Sequence, residues 1–95
     1  MCSDQGRSRG ARISTFYGIV VYMYYEEHGL PHFHARYAGY DASIQIDGLA
    51  VLQGSLPRTK LALVRRWTRL HEDELRVNWE RARREEELIE IDPLP

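Results

Sequence analysis

At 95 residues, 43% apolar and 28% charged, the chain has the size and composition of one soluble domain that buries its own core. Its formal charge of −1 excludes a global electrostatic pull toward nucleic acid or membrane. The single cysteine, Cys2, excludes an intrachain disulfide and fits a reducing cytosol.

Met1–Ala11 is rich in Ser, Gly and Arg, so residues 1–12 are expected to form a disordered tail ahead of a single domain at 13–95. That tail lacks the apolar stretch of a signal peptide, and no run approaches the roughly 18–20 apolar residues of a membrane span. A cytoplasmic location is expected. Phe16–Tyr25 is aromatic and β-branched and reads as one strand, with Ile19, Val21 and Met23 on one face. Glu26–Leu30 reads as a loop, and Pro31 opens the next strand.

Ala38-Gly39 between two tyrosines predicts a two-residue hairpin with positive φ at Gly39. Tyr37 then opposes Tyr40, Arg36 Asp41, His34 Ser43, Phe33 Ile44 and His32 Gln45. Phe33, Ala35, Tyr37, Tyr40, Ala42, Ile44 and Ile46 share one face. His32, His34, Arg36, Asp41, Ser43 and Gln45 share the other. A slip by one residue would mix the two sets, which selects this register. Asp47-Gly48 predicts a second tight turn into a strand at Leu49–Gln53.

From Arg58 to Glu87 neither Gly nor Pro intervenes. Leu63, Val64, Trp67, Leu70, His71, Leu75, Asn78 and Ala82 recur on one helical side. One unbroken helix would be about 45 Å long, against a radius of gyration near ~13 Å for a domain of this size. A break at Leu70–Asp73 is therefore expected, with Glu72 and Asp73 supplying negative charge to the second helix start. Leu88–Ile91 reads as a short closing strand. The expected fold is α+β: a four-stranded antiparallel meander, then two helices on the Phe33/Ile44 face, leaving the histidine face open.

Three of the four histidines, His28, His32 and His34, fall within Met23–Ala35. His32 and His34 leave one strand face together, the geometry in which a His-x-His pair holds a divalent metal such as zinc. His28 would be a third ligand, Glu26 or Glu27 would supply an oxygen or a base, and Tyr24 lies on the same face. Such a set suits metal-assisted hydrolysis, with His32, His34, Glu27 and Tyr24 as catalytic candidates. Against it stand two alternatives: a polar face hydrogen-bonded to loop backbone, and a metal-free pair that binds phosphate beside Arg36 and Ser43. Arg58, Arg65, Arg69, Arg76 and Arg83 form a helical stripe, but Glu72 and Glu80 interrupt it as in a solvated ladder. Nucleic-acid contact is thus only weakly supported. An open sheet face with edge strands points instead to a homodimer or a protein partner.

Several motifs carry a resemblance. They are Phe-Tyr-Gly-Ile at Phe16–Ile19, Met-Tyr ahead of His-x-x-Pro-His-Phe-His-Ala at His28–Ala35, and Tyr-x-Gly-Tyr-x-Ala at Tyr37–Ala42. Gly-x-Leu-Pro at Gly54–Pro57 and Asn78-Trp79 complete the set. In these the chain resembles the bacterial domain of unknown function 4160 family over about Ile13–Pro95, with Leu30 where members commonly have proline. The resemblance implies an interaction module, one component of a toxin–antitoxin-like two-gene pair. The histidine cluster carries the competing reading of a small nuclease-like hydrolase.

Overall fold

The computed structural model describes residues 9–25 and 27–95. The expected tail up to residue 8, and the candidate Glu26, lie outside the described residues. Five antiparallel strands form one sheet in sequence order: β1 (Gly10–Phe16), β2 (Ile19–Tyr24), β3 (His32–Tyr37), β4 (Tyr40–Gln45) and β5 (Val51–Gly54). Two helices follow, α1 (Arg58–Leu70) and α2 (Glu72–Arg83).

The sheet therefore has five strands where four were expected. The extra one is β1, and residues 10–12 belong to it instead of to a tail. Phe16–Tyr25 is split by a turn at Tyr17 and Gly18, whose φ values of 51° and 79° are those of a type I′ hairpin turn. A bulge between Arg12 and Ser14 turns Arg12 toward the histidine face, opposite Tyr22, and Ser14 toward the core, opposite Val21.

The β3–β4 register is the expected one throughout, from Tyr37 opposite Tyr40 to His32 opposite Gln45. Its turn differs in detail, because Ala38, with φ 53°, takes the left-handed conformation expected of Gly39. The second connection is longer than a two-residue turn. Positive φ falls on Gly48 and Leu49, Gln45 N–H donates to the Ala50 carbonyl at 2.8 Å, and β5 starts only at Val51. Gly54 ends β5 where no other residue fits: a Cβ there would stand 2.0 Å from the Asp41 carbonyl oxygen.

Pro57 caps α1, and His71 breaks the helical run inside the expected window. Glu72, Asp73 and Glu74 then occupy the first turn of α2, favourable at the positive end of the helix dipole. Val64, Trp67 and Leu75 are fully buried with Phe33, Ala35, Ile44 and Ile46. Trp67 sits 5.9 Å from the Phe33 ring and 5.3 Å from Phe16. The helical arginine stripe is divided by the break, and Arg76 pairs with Asp47, Glu72 and Asp73.

The closing residues 84–95 form no strand, contrary to the expectation at Leu88–Ile91. Side-chain groups hold them down instead. Asn78 Nδ2 donates to the Ile89 carbonyl at 2.7 Å, Asn78 Oδ1 accepts from Ile89 N–H at 2.8 Å, and Trp67 Nε1 donates to the Asp92 carbonyl at 2.8 Å. Ile91 N–H reaches β1, donating to the Ile13 carbonyl at 2.8 Å. Glu90 and the other charged residues here are exposed, Ile89 is half exposed, and Ile91 is buried.

Phe33, between the two histidines, is the anchor of β3. Phe33→Ala should lower unfolding free energy by ~3–5 kcal/mol, as large-to-small core substitutions do. Urea denaturation gives the value, and a loss under about 1 kcal/mol would contradict this packing.

Candidate metal centre

Alternation about buried Phe33 sends His32 and His34 to the same side of β3, ring centroids 5.2 Å apart. The loop between β2 and β3 returns over them. Gly29 takes φ 93°, and the Pro31 carbonyl accepts from Ile46 N–H at 3.0 Å, fixing the loop's exit. Glu27 thereby brings Oε1 to 2.7 Å from His32 Nε2 and 2.9 Å from His34 Nε2. One ligand atom from each residue lies within 4.8 Å of the others.

His28 is not part of this group. It is exposed and lines a separate cleft with Glu27, Arg83 and Glu85, so the third position belongs to Glu27 next to it. Nor is the face open. The side chains of His32, His34 and Glu27 are only 11%, 16% and 20% exposed. Trp79 covers His32 at 5.1 Å, Tyr22 stacks on His34 at 5.3 Å, and Tyr24 meets it edge-on at 4.8 Å. Trp79, read from sequence as core alone, is also a wall of the site. Its position in α2 gave no signal of that, because the link is tertiary.

His32 Nδ1 lies 2.7 Å from the Leu30 carbonyl. A carbonyl only accepts, so Nδ1 carries hydrogen and points His32 Nε2 at the carboxylate. Without a metal, His34 Nε2–H satisfies Glu27 by donating; as a ligand His34 would present the Nε2 lone pair and carry its hydrogen on Nδ1. Between His32 Nε2 and Oε1, however, two lone pairs would meet unless a proton or a cation lies there. A carbonyl fixing the far nitrogen of an imidazole is also the usual outer support of a metal-ligating histidine. Zinc binds such atoms at about 2.0–2.1 Å in tetrahedral array, which asks the two contacts to widen by roughly half an ångström.

A polar network adjoins the centre. Tyr22 Oη donates to Asp41 Oδ2 at 2.9 Å and accepts from Arg36 Nη2 at 3.0 Å. Arg36 Nε donates to Asp41 at 3.1 Å, the cross-strand ion pair read from the register. Ser43 is buried opposite His34. Neither Tyr22 nor its tie to His34 was singled out from sequence, although the Tyr22-opposite-His34 pairing follows once β2 is registered.

The model of a family described as Domain of unknown function (DUF4160) matches residues 18–80. The chain belongs to that family. The matched span of this DUF4160 chain includes Glu27, His32, His34 and Trp79, and leaves out β1 and the closing segment. No curated protein and no solved structure matches.

Burial, followed by the hydrogen bond to Asp41, pushes the Tyr22 phenol well above its ordinary value. A raised value means the folded state holds this proton more tightly. The stability it contributes is fully present below the ordinary tyrosine value of about 10 and is lost as pH rises through the raised value. In alkaline melts, Tyr22→Phe should flatten the fall in Tm above about pH 10. An unchanged alkaline slope would show that Tyr22 is not the group responsible.

Proposed function

We propose that this protein binds a divalent transition metal through His32 Nε2, His34 Nε2 and Glu27 Oε1, and uses it hydrolytically. The observation that supports the reading is the convergence of those three atoms, with Leu30 fixing the orientation of His32. Two histidines and one glutamate form the donor set of several hydrolytic zinc sites and leave a coordination position for water or substrate. A bound ion there supplies Lewis acidity and an activated water at neutral pH. Glu27 and the imidazoles hold the ion, Trp79, Tyr22 and Tyr24 limit water around the ligands, and Leu30 maintains the tautomer. Metal and proton compete for the same place between His32 and Glu27, so affinity falls as pH falls.

Calorimetric titration of the full chain with zinc at neutral pH should give one ion per chain. Glu27→Gln, the loss of a direct ligand, should weaken it by more than the roughly 10–100-fold that changes to outer-shell partners cost, and His32→Gln with His34→Gln should abolish it. Circular dichroism checks that the variants remain folded, since both histidines are half-buried. Binding that survives the double change would overturn the reading.

A second reading, an interaction module of a two-gene pair or a homodimer, draws support from another surface. Val77 and Ile89, each 50% exposed, line an apolar groove with Ile91 and with Asp73 and Glu74 at its rim. Sedimentation should then show a dimer or a stable heteromer that Val77→Glu disrupts. A monomer at high micromolar concentration, with no partner recovered, would count against it.

A further inference from the structure

Beside the histidine centre the sheet carries a second concavity, a shallow cleft of about 330 Å³ lined by Arg12, Arg36, Tyr22 and Tyr24 over the backbone of Gly10 and Ala11. It is a product of the β1 bulge, which turns Arg12 to the histidine face opposite Tyr22. Gly10 sets its end. A Cβ on Gly10 would stand 2.8 Å from Tyr24 Cδ1, so glycine is what allows the tyrosine ring to lie against the β1 backbone.

The two arginines are in different circumstances. Arg36 is committed, through Nε to Asp41 and through Nη2 to Tyr22 Oη, and its charge is offset by Asp41. Arg12 is exposed and makes no ion pair or hydrogen bond among the described residues. Among the described residues the cleft thus presents one guanidinium without a partner side chain and a second over the Tyr22 ring, its Cζ 5.0 Å from the centroid. The same ring touches the candidate metal centre: Tyr22 stacks on His34 at 5.3 Å with planes 22° apart. Tyr22 therefore contacts both Arg36 at the cleft and His34 at the candidate centre. A divalent ion held by one carboxylate and two neutral imidazoles would leave a further net positive charge next to His34, which Tyr22 contacts.

From these observations we infer that the cleft binds the phosphate group of a phosphate-ester substrate, with Arg12 as its principal phosphate contact. Guanidinium is the side chain best matched to phosphate oxygens. Tyr24 and Tyr22 offer aromatic surface to whatever the phosphate carries, as in proteins that hold single strands by stacking. The inference names a substrate class for the proposed hydrolytic centre and rests on that reading for the chemistry, although binding at the cleft requires no metal.

The test uses the full chain with and without zinc, and two probes, inorganic phosphate and a dinucleotide. Heteronuclear NMR titration should show either probe shifting the Arg12 Nε–H signal. Arg12→Gln should weaken binding roughly tenfold, the loss of a charge-assisted contact, and Arg12→Lys should restore part of it. For the dinucleotide, binding should weaken with added salt through screening, and less so in Arg12→Gln. Zinc affinity should be unchanged in that variant. Binding of phosphate alone identifies a monoester-like ligand, and binding of the dinucleotide a diester; either supports the cleft. If neither probe binds, or Arg12→Gln binds as the wild type does, the inference is overturned. Phosphate binding to a chain that fails to take up zinc would remove the metal reading and leave the cleft standing.

Discussion

Glu27 Oε1 faces two imidazole nitrogens at 2.7 and 2.9 Å, and the rest of the polar end of this sheet is arranged around that contact. One of the two nitrogens can donate to the carboxylate without difficulty. The other has its partner ring nitrogen tied to Leu30, so a positive species is required between His32 and Glu27, either a proton or a metal ion. Unpaired, opposed lone pairs in a half-buried site would cost more than the contact gains. The loop that delivers Glu27, the turn at Gly29 and the Trp79 ring over His32 all serve to hold this geometry against water.

The sheet's twofold alternation and the helix's 3.6-residue period do different work here. Alternation across β3 separates an apolar anchor, Phe33, from the two histidines on its other face. The helical break at His71 lets α2 turn back along the sheet, within a molecule whose radius of gyration is 12.5 Å. Only then does Trp79 reach both the core and the histidines. Tyr22 ties His34 to the Arg36–Asp41 pair, so that the histidine-side and cleft-side groups share one aromatic ring.

Much of this was legible from residue pattern where local rules are strict. The β3–β4 register followed from a two-residue turn and a clean sorting of faces, and the helix break from the dimensions of a small domain. β1 was not legible, because its bulge breaks the period of two and leaves Arg12, Ile13, Ser14 and Phe16 without a simple alternation. The closing segment misled because Leu88–Ile91 is largely apolar and β-branched like a strand, yet it is held by the Asn78 side chain at Ile89, with Trp67 donating to Asp92 just beyond. At the site, the His-x-His pair was readable from spacing. The choice of Glu27 over His28 was not, since it depends on the path of a loop with a glycine at φ 93°.

The account stands or falls on what occupies the space between His32, His34 and Glu27. A crystal structure of the zinc-loaded chain, with anomalous scattering recorded across the zinc edge, addresses it directly. The expected result is one anomalous peak bounded by His32 Nε2, His34 Nε2 and Glu27 Oε1, with Leu30 still accepting from His32 Nδ1. A peak at His28 or His71, or no peak with the carboxylate–imidazole contacts unchanged, would contradict it.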